Sequence, residues 1–190
     1  MIEILGWFWT SAILVIAVGT VLLLIAIYNN LVRLRQNVRQ GVADIDAQLR
    51  QRHDLIPNLV EAVKGYAGHE AVTLEAVIAA RNAAARGEPG AASEAQLKLA
   101  LDNLLALGEA YPDLKASANF QSLQNELGDV EDKLAAARRA LNAAVARFNA
   151  ARESFPAVLF AGMLGFGAAD FSQLSESEKG VVDQTPKVAF

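Results

Sequence analysis

Arg52-His53-Asp54, followed within a helical turn by Pro57-Asn58, is the densest group of chemistry-bearing side chains in the sequence. Arg52 occupies a position where helical periodicity asks for an apolar residue. Its guanidinium must therefore snorkel to water or meet a carboxylate, and Glu126 and Glu131, flanking the apolar seam of a later helix, are the candidate partners. A structural ion pair that fixes register is the expectation; a ligand or partner contact at Arg52, His53, Asp54 and Asn58 is the alternative. His53 and His69 are the only histidines. They form no Glu-x-x-His or His-x3-His spacing, so no transition-metal site is expected. Asp44, Asp46 and Glu61 could meet Glu126, Asp129, Glu131 and Asp132 as carboxylates, but a di-iron bundle needs Glu-x-x-His on two helices, which this sequence does not supply. The Gly162-x-x-Gly165-x-Gly167 stretch follows no strand and opens no helix, which argues against a phosphate loop. Cysteine is absent. That removes disulfides, thiolate metal sites and cysteine nucleophiles without fixing the compartment. With no nucleophile beside a base, the expectation is a protein that is not an enzyme and uses no cofactor or metal.

The elements that must position these residues are helices. The formal net charge of −4 is modest, and Lys and Arg interleave with Asp and Glu along the chain, so no electrostatic footprint for nucleic acid exists. Helix formers dominate the composition beyond the first thirty residues, which makes all-α the natural class.

From Ile4 to Val32 no residue is charged, and Trp7 through Tyr28 gives about 22 residues, enough to cross about 30 Å of hydrocarbon. Trp7 and Trp9 at one end and Tyr28 at the other place amphipathic rings at both membrane interfaces. The only side-chain charge before the apolar run is Glu3, unlike the basic leader of a cleavable signal peptide, so the segment should remain as a signal-anchor. Arg33, Arg35 and Arg39 follow the span and nothing basic precedes it; the positive-inside tendency then puts the bulk of the chain in the cytoplasm.

Beyond the span, apolar residues at Leu31, Leu34, Val38, Val42, Ile45, Leu49, Ile56, Leu59, Val63 and Tyr66 step by three and four, which predicts a helix continuous with the anchor. Pro57 should kink it without stopping it. Gly65 and Gly68 allow a break before Val72, Leu74, Val77 and Ile78 resume a helix to about Arg86; an unbroken rod is the alternative. Gly87-Glu88-Pro89-Gly90 reads as a loop, Ser93 with Gln96 as a capping box opening a helix through Gly108, and Tyr111-Pro112-Asp113 as its end. A last long helix is expected from Asn119 to Ser154. Its seam is Phe120, Leu123, Leu127, Val130, Leu134, Ala137, Leu141, Ala144, Phe148, Ala151 and Phe155, at the heptad spacing of coiled coils and bundles.

The resulting organisation is a transmembrane anchor over 1–30, an antiparallel long-helix, coiled-coil-like bundle over 31–155, and an apolar segment with a polar tail over 156–190. Four helices running alternately away from and toward the membrane return Phe155 to the membrane side. The apolar stretch that follows is too short to span; capping the bundle is expected, with contact to the membrane interface as the alternative.

Several ordered segments stand out: Tyr28-Asn29-Asn30-Leu31-Val32-Arg33-Leu34, Arg50 through Glu61, Val63-Lys64-Gly65-Tyr66 with His69-Glu70, and Ala80-Arg81-Asn82-Ala83. Then come Ala110 through Ala116 with Asn119-Phe120, Glu126 and Glu131 with Ala137-Arg138, Phe148-Asn149, and Ser154-Phe155-Pro156. In this order the series resembles the LemA family over almost the whole length. Family members usually resemble Glu-Asn-Arg where this chain has Glu131-Asp132-Lys133, and commonly carry Asn where Val158 stands. The resemblance implies an N-terminal signal anchor and a cytoplasmic antiparallel helical bundle. Because some relatives are associated with bacterial organelle membranes, including magnetosomes, it also implies a membrane-organising role. The expected partners are membrane lipid, further copies of the chain as a homo-oligomer, and other membrane proteins. The expected location is a bacterial inner membrane, cytoplasmic or organelle.

Overall fold

The computed structural model describes residues 2–86 and 91–170; the expected Gly87–Gly90 loop and the polar tail from Phe171 lie outside them. All regular elements among the described residues are helical: α1 (Ile2–Lys64), α2 (Ala71–Arg86), α3 (Ala91–Ala110), α4 (Pro112–Lys115) and α5 (Ala118–Glu153), with a single 3-10 turn at Ala157–Leu159. The sequence bears this out as all-α with a long apolar N-terminal helix. Over Ile13–Leu23 the large apolar side chains of α1 leave 50–70% of their surface uncovered by protein, and α1 carries one candidate membrane-spanning helix.

The chain divides into two compact units, Met1–Val42 with Ala140–Phe171, and Ala43–Arg139. In the first, Leu31 and Phe148 pack with Ala157, Ala161 and Phe166, and Gly41 faces Leu141. As α1 advances from 31 to 41, its neighbour on α5 recedes from 148 to 141, so the two helices are antiparallel here. After α5 ends, Gly165 takes φ +75°, a left-handed conformation natural to glycine. The turn is closed by a bond from the Phe166 amide to the Ala161 carbonyl (2.9 Å). Phe166 thereby returns to meet Tyr28 edge-on at 5.6 Å, with the Arg35 guanidinium 4.7 Å above its ring.

In the second unit Ile56, Leu59 and Val63 of α1 share one core with Leu74 and Val77 of α2, Leu97, Leu101 and Leu104 of α3, Leu114 of α4, and Phe120, Leu123 and Leu127 of α5. α1 stops at Lys64, beside the helix-weakening Gly65 and Gly68, so the break is realised and the unbroken rod is not. Arg81 of α2 reaches back to His53, Glu94 at the start of α3 meets Arg52, and Tyr111 at the end of α3 donates to Glu70 at the α1–α2 turn (3.0 Å). α2 thus runs antiparallel to α1 and α3 parallel to it. Glu131 of α5 is also at Arg52 while Leu127 lies with Ile56, so α5 runs back.

Five expected positions differ. Val42 is 46% exposed, because the buried stripe passes through Gly41, whose ideal Cβ would stand 3.1 Å from Leu141 Cα, Cβ and Cδ1. Val145, not Ala144, is fully buried between Leu141 and Phe148. Tyr66 and Phe155 are exposed because each lies just past the end of its helix, where three-four spacing no longer dictates direction. Ser93 is the third residue of α3, so the expected cap falls inside the helix. At Pro57 α1 continues, as expected, without ending.

Gly41→Ala gains up to about 1 kcal/mol of helix propensity but presses a methyl onto the backbone of Leu141, an overpacking cost of about 1–3 kcal/mol. Thermal unfolding should show a lowered Tm. Gly128→Ala, with nothing within 4 Å of the new Cβ, should raise it.

Candidate functional site: a buried arginine and the cleft beside it

The apolar stripe of α1 inside the second unit puts Arg52 between Leu49 and Ile56, and its side chain is 2% exposed. Removing a guanidinium from water costs several kcal/mol unless carboxylates replace the lost hydration. Two do. Arg52 Nη2 donates to Glu94 Oε2, and Nη1 donates to Glu131 Oε1 at 2.8 Å. Glu94 is itself nine-tenths buried, whereas Glu131 is partly open to solvent, so the pair is dry on one side and wet on the other.

His53 Nε2 stands 3.3 Å from Glu94 Oε1 without the alignment of a hydrogen bond. That carboxylate is committed to Arg52 and does not hold a proton on the imidazole. Burial first, then the nearby charges of Arg52 and Arg81, push the His53 pKa below its ordinary 6.5, with Asp54 opposing them. His53 is therefore a neutral imidazole at neutral pH.

Arg81 reaches the same turn for a reason written into α1. Pro57 has no N–H, so the carbonyl four residues earlier, that of His53, loses its helical donor. Arg81 Nε donates to the His53 carbonyl at 3.3 Å and supplies the missing partner from α2.

Beside these residues is a cleft of about 430 Å3 lined by Asp46, Arg50, His53, Asp54, Arg81 and Glu94, with Leu49 and two alanines of α2 at its base. Asp54 is exposed on its wall, and Asn58 is exposed one turn farther along α1. The structure thus gathers Arg52, His53, Asp54 and Glu131. Glu126 is not among them: it is exposed and accepts from the Ser122 hydroxyl at 3.3 Å. Two residues were missed from the sequence, Glu94 and Arg81. Glu94 carried a signal, since it begins the stripe Glu94, Leu97, Leu101, Leu104 as a charge in an apolar row, the mirror of Arg52 in α1. Trp7 and Trp9 are exposed on α1, and Tyr28 is partly exposed beside Phe166.

With this arrangement in place, comparison with known sequences is informative. The LemA family matches residues 41–190, which takes in α2 to α5 and the charged cluster and begins after the apolar span. This chain belongs to the LemA family. Among its relatives is Protein LemA of Metamycoplasma hominis, 27% identical over 159 residues, covering 82% of this chain and 73% of that protein. The Magnetosome protein MamQ of Magnetospirillum gryphiswaldense is 31% identical over 72 residues, 38% of this chain and 26% of that protein.

Two measurements test the cluster in this LemA-family chain. Arg52→Met leaves the Glu94 carboxylate buried without its cation and should cost about 3–5 kcal/mol in denaturant unfolding, most of which Arg52→Met with Glu94→Leu should recover. Arg81→Met should cost about 1–2 kcal/mol, and much less in a Pro57→Ala background, where the restored amide serves the His53 carbonyl; equal costs in both backgrounds would refute the assignment.

Proposed function

We propose that this protein is a non-enzymatic scaffold, anchored by α1 in a bacterial cytoplasmic or organelle membrane, that organises membrane or protein assemblies by self-association. The observation that carries the reading is that α1 runs as one helix from the apolar span into packed residues of both units, Ile2–Lys64. A helix without a break passes the position of the membrane to what packs on it, which suits holding and ordering better than turnover of a substrate.

Further support comes from the charged cluster. Arg52 is paired with Glu94 and Glu131 across three helices and burial pushes the His53 pKa down, which suits a packing role for these groups. Arg33, Arg35 and Arg39 follow the span, which favours a cytoplasmic location for the bulk of the chain beyond it. Val72, Ile78 and Leu99 of α2 and α3 are exposed and offer apolar contact to a second copy. The partly matching MamQ is by its name a magnetosome protein, which suits a membrane-organising role here.

A second reading, an adaptor or regulator of a membrane protease or sensor kinase, draws on the cleft between His53 and Arg81, which could receive a partner's side chain. Cross-linking separates the two. An Asn58→Cys variant carrying a photoactivatable label, expressed in native membranes, should yield adducts of the protein with itself, and light scattering in mild detergent should give a mass above the monomer. Adducts with a different protein alone, with a monomeric mass, would replace the scaffold by the adaptor.

A further inference from the structure

The segment after α5 has two faces of opposite fate. Ala157, Ala161 and Phe166 are buried against Leu31 and Phe148, so the inner face is occupied and the segment caps its unit. Phe155, Val158, Leu159, Met163 and Leu164 point outward and are exposed, Phe155 by 82% and Met163 by 86%. No charged residue stands between Glu153 and Asp170. A capping role accounts for the first face and leaves the second, an apolar surface, largely uncovered among the described residues.

Its height along α1 identifies what covers it. Phe160, Met163 and Leu164 line, with Leu24, Ile25 and Tyr28, an open apolar cavity of about 320 Å3. Tyr28 is the aromatic residue at the end of the span, and Leu24 lies one turn inside it, about 6 Å deeper at 1.5 Å per residue. Met163 and Leu164 therefore sit at the level of acyl chains, within the 5–10 Å depth at which interfacial elements bury their apolar faces.

We infer that residues 155–164 form a wedge inserted into the leaflet in which the apolar span of α1 ends at Tyr28, with lipid acyl chains covering Phe155, Leu159 and Met163. The inference rests on the membrane-spanning reading of α1. The wedge meets α1 at Leu24 and Ile25 and so adjoins the large apolar side chains of Ile13–Leu23, which are exposed. Having no basic residue, it enters by apolar burial alone and needs no anionic headgroup. A second contact in the same leaflet fixes the rotation of α1 about its own axis, which a lone span leaves free.

The absence of cysteine gives a clean test. Full-length Met163→Cys, Leu159→Cys, Ile16→Cys and Gln96→Cys variants, each labelled with an environment-sensitive fluorophore, are reconstituted in phosphatidylcholine vesicles. Labels at 163 and 159 should emit blue-shifted light, lose most intensity to nitroxides on the acyl chains and resist aqueous iodide, as the label at 16 does; the label at 96 should do the reverse. If 16 is in lipid while 163 and 159 are quenched by iodide, the wedge is wrong and the anchor stands. If 16 is also quenched by iodide, the anchor is wrong and the wedge falls with it. Protection at 163 and 159 from both quenchers would mean that protein, such as a second copy, covers the face, which also overturns the inference.

Discussion

The second unit is organised around one guanidinium that cannot reach water. At 2% exposure Arg52 tolerates burial because Glu94 and Glu131 each accept from one of its terminal nitrogens, and those carboxylates belong to α3 and α5. Sliding either helix along α1 by a turn would leave a buried charge facing leucines, so alternative registers that an all-apolar seam would permit are closed. The cost is a weaker net contribution than well-packed hydrophobes would give; the gain is a single alignment of three helices. His53 lies on the same turn of α1 as Arg52, and Arg81 of α2 meets it there, so charge, neutral imidazole and backbone carbonyl together mark one level of the bundle.

The first unit solves a different problem by different means. Its core is apolar and aromatic, from Leu31 and Phe148 to the ring of Phe166, with Arg35 above that ring and Asn149 exchanging two hydrogen bonds with the Ala169 backbone. Where one side of a helix faces lipid, an ion pair has little to do, and close approach through Gly41 together with a folded-back chain end supplies the packing. The LemA family match begins at residue 41, at the glycine where this unit is tightest.

Much of this was legible in the sequence. The span, the three-four stripes, the break after Lys64 and the last long helix follow from periodicity and glycine placement. Arg52 could be singled out because a charge in an apolar row demands an explanation. The misses share a physical cause: they depend on atoms that a residue-type pattern does not describe. Gly41 is buried by its backbone, so counting apolar side chains selected Val42 instead. Tyr66 and Phe155 kept the right spacing but lay beyond helices whose ends decide direction. Glu94 was hidden by a capping pattern next to it at Ser93, and Glu126 shared the right helix with Glu131 but stood on the wrong side of it. Arg81 answers a backbone carbonyl, for which no residue type is a signature.

That last contact has a wider meaning. An ordinary helix is a ladder whose rungs are all taken, so a neighbour sliding along it finds no landmark in the main chain. Pro57 empties a rung four residues back, and Arg81 reads the vacancy. A residue usually regarded as a defect thus serves as an address, telling α2 at which height to stop.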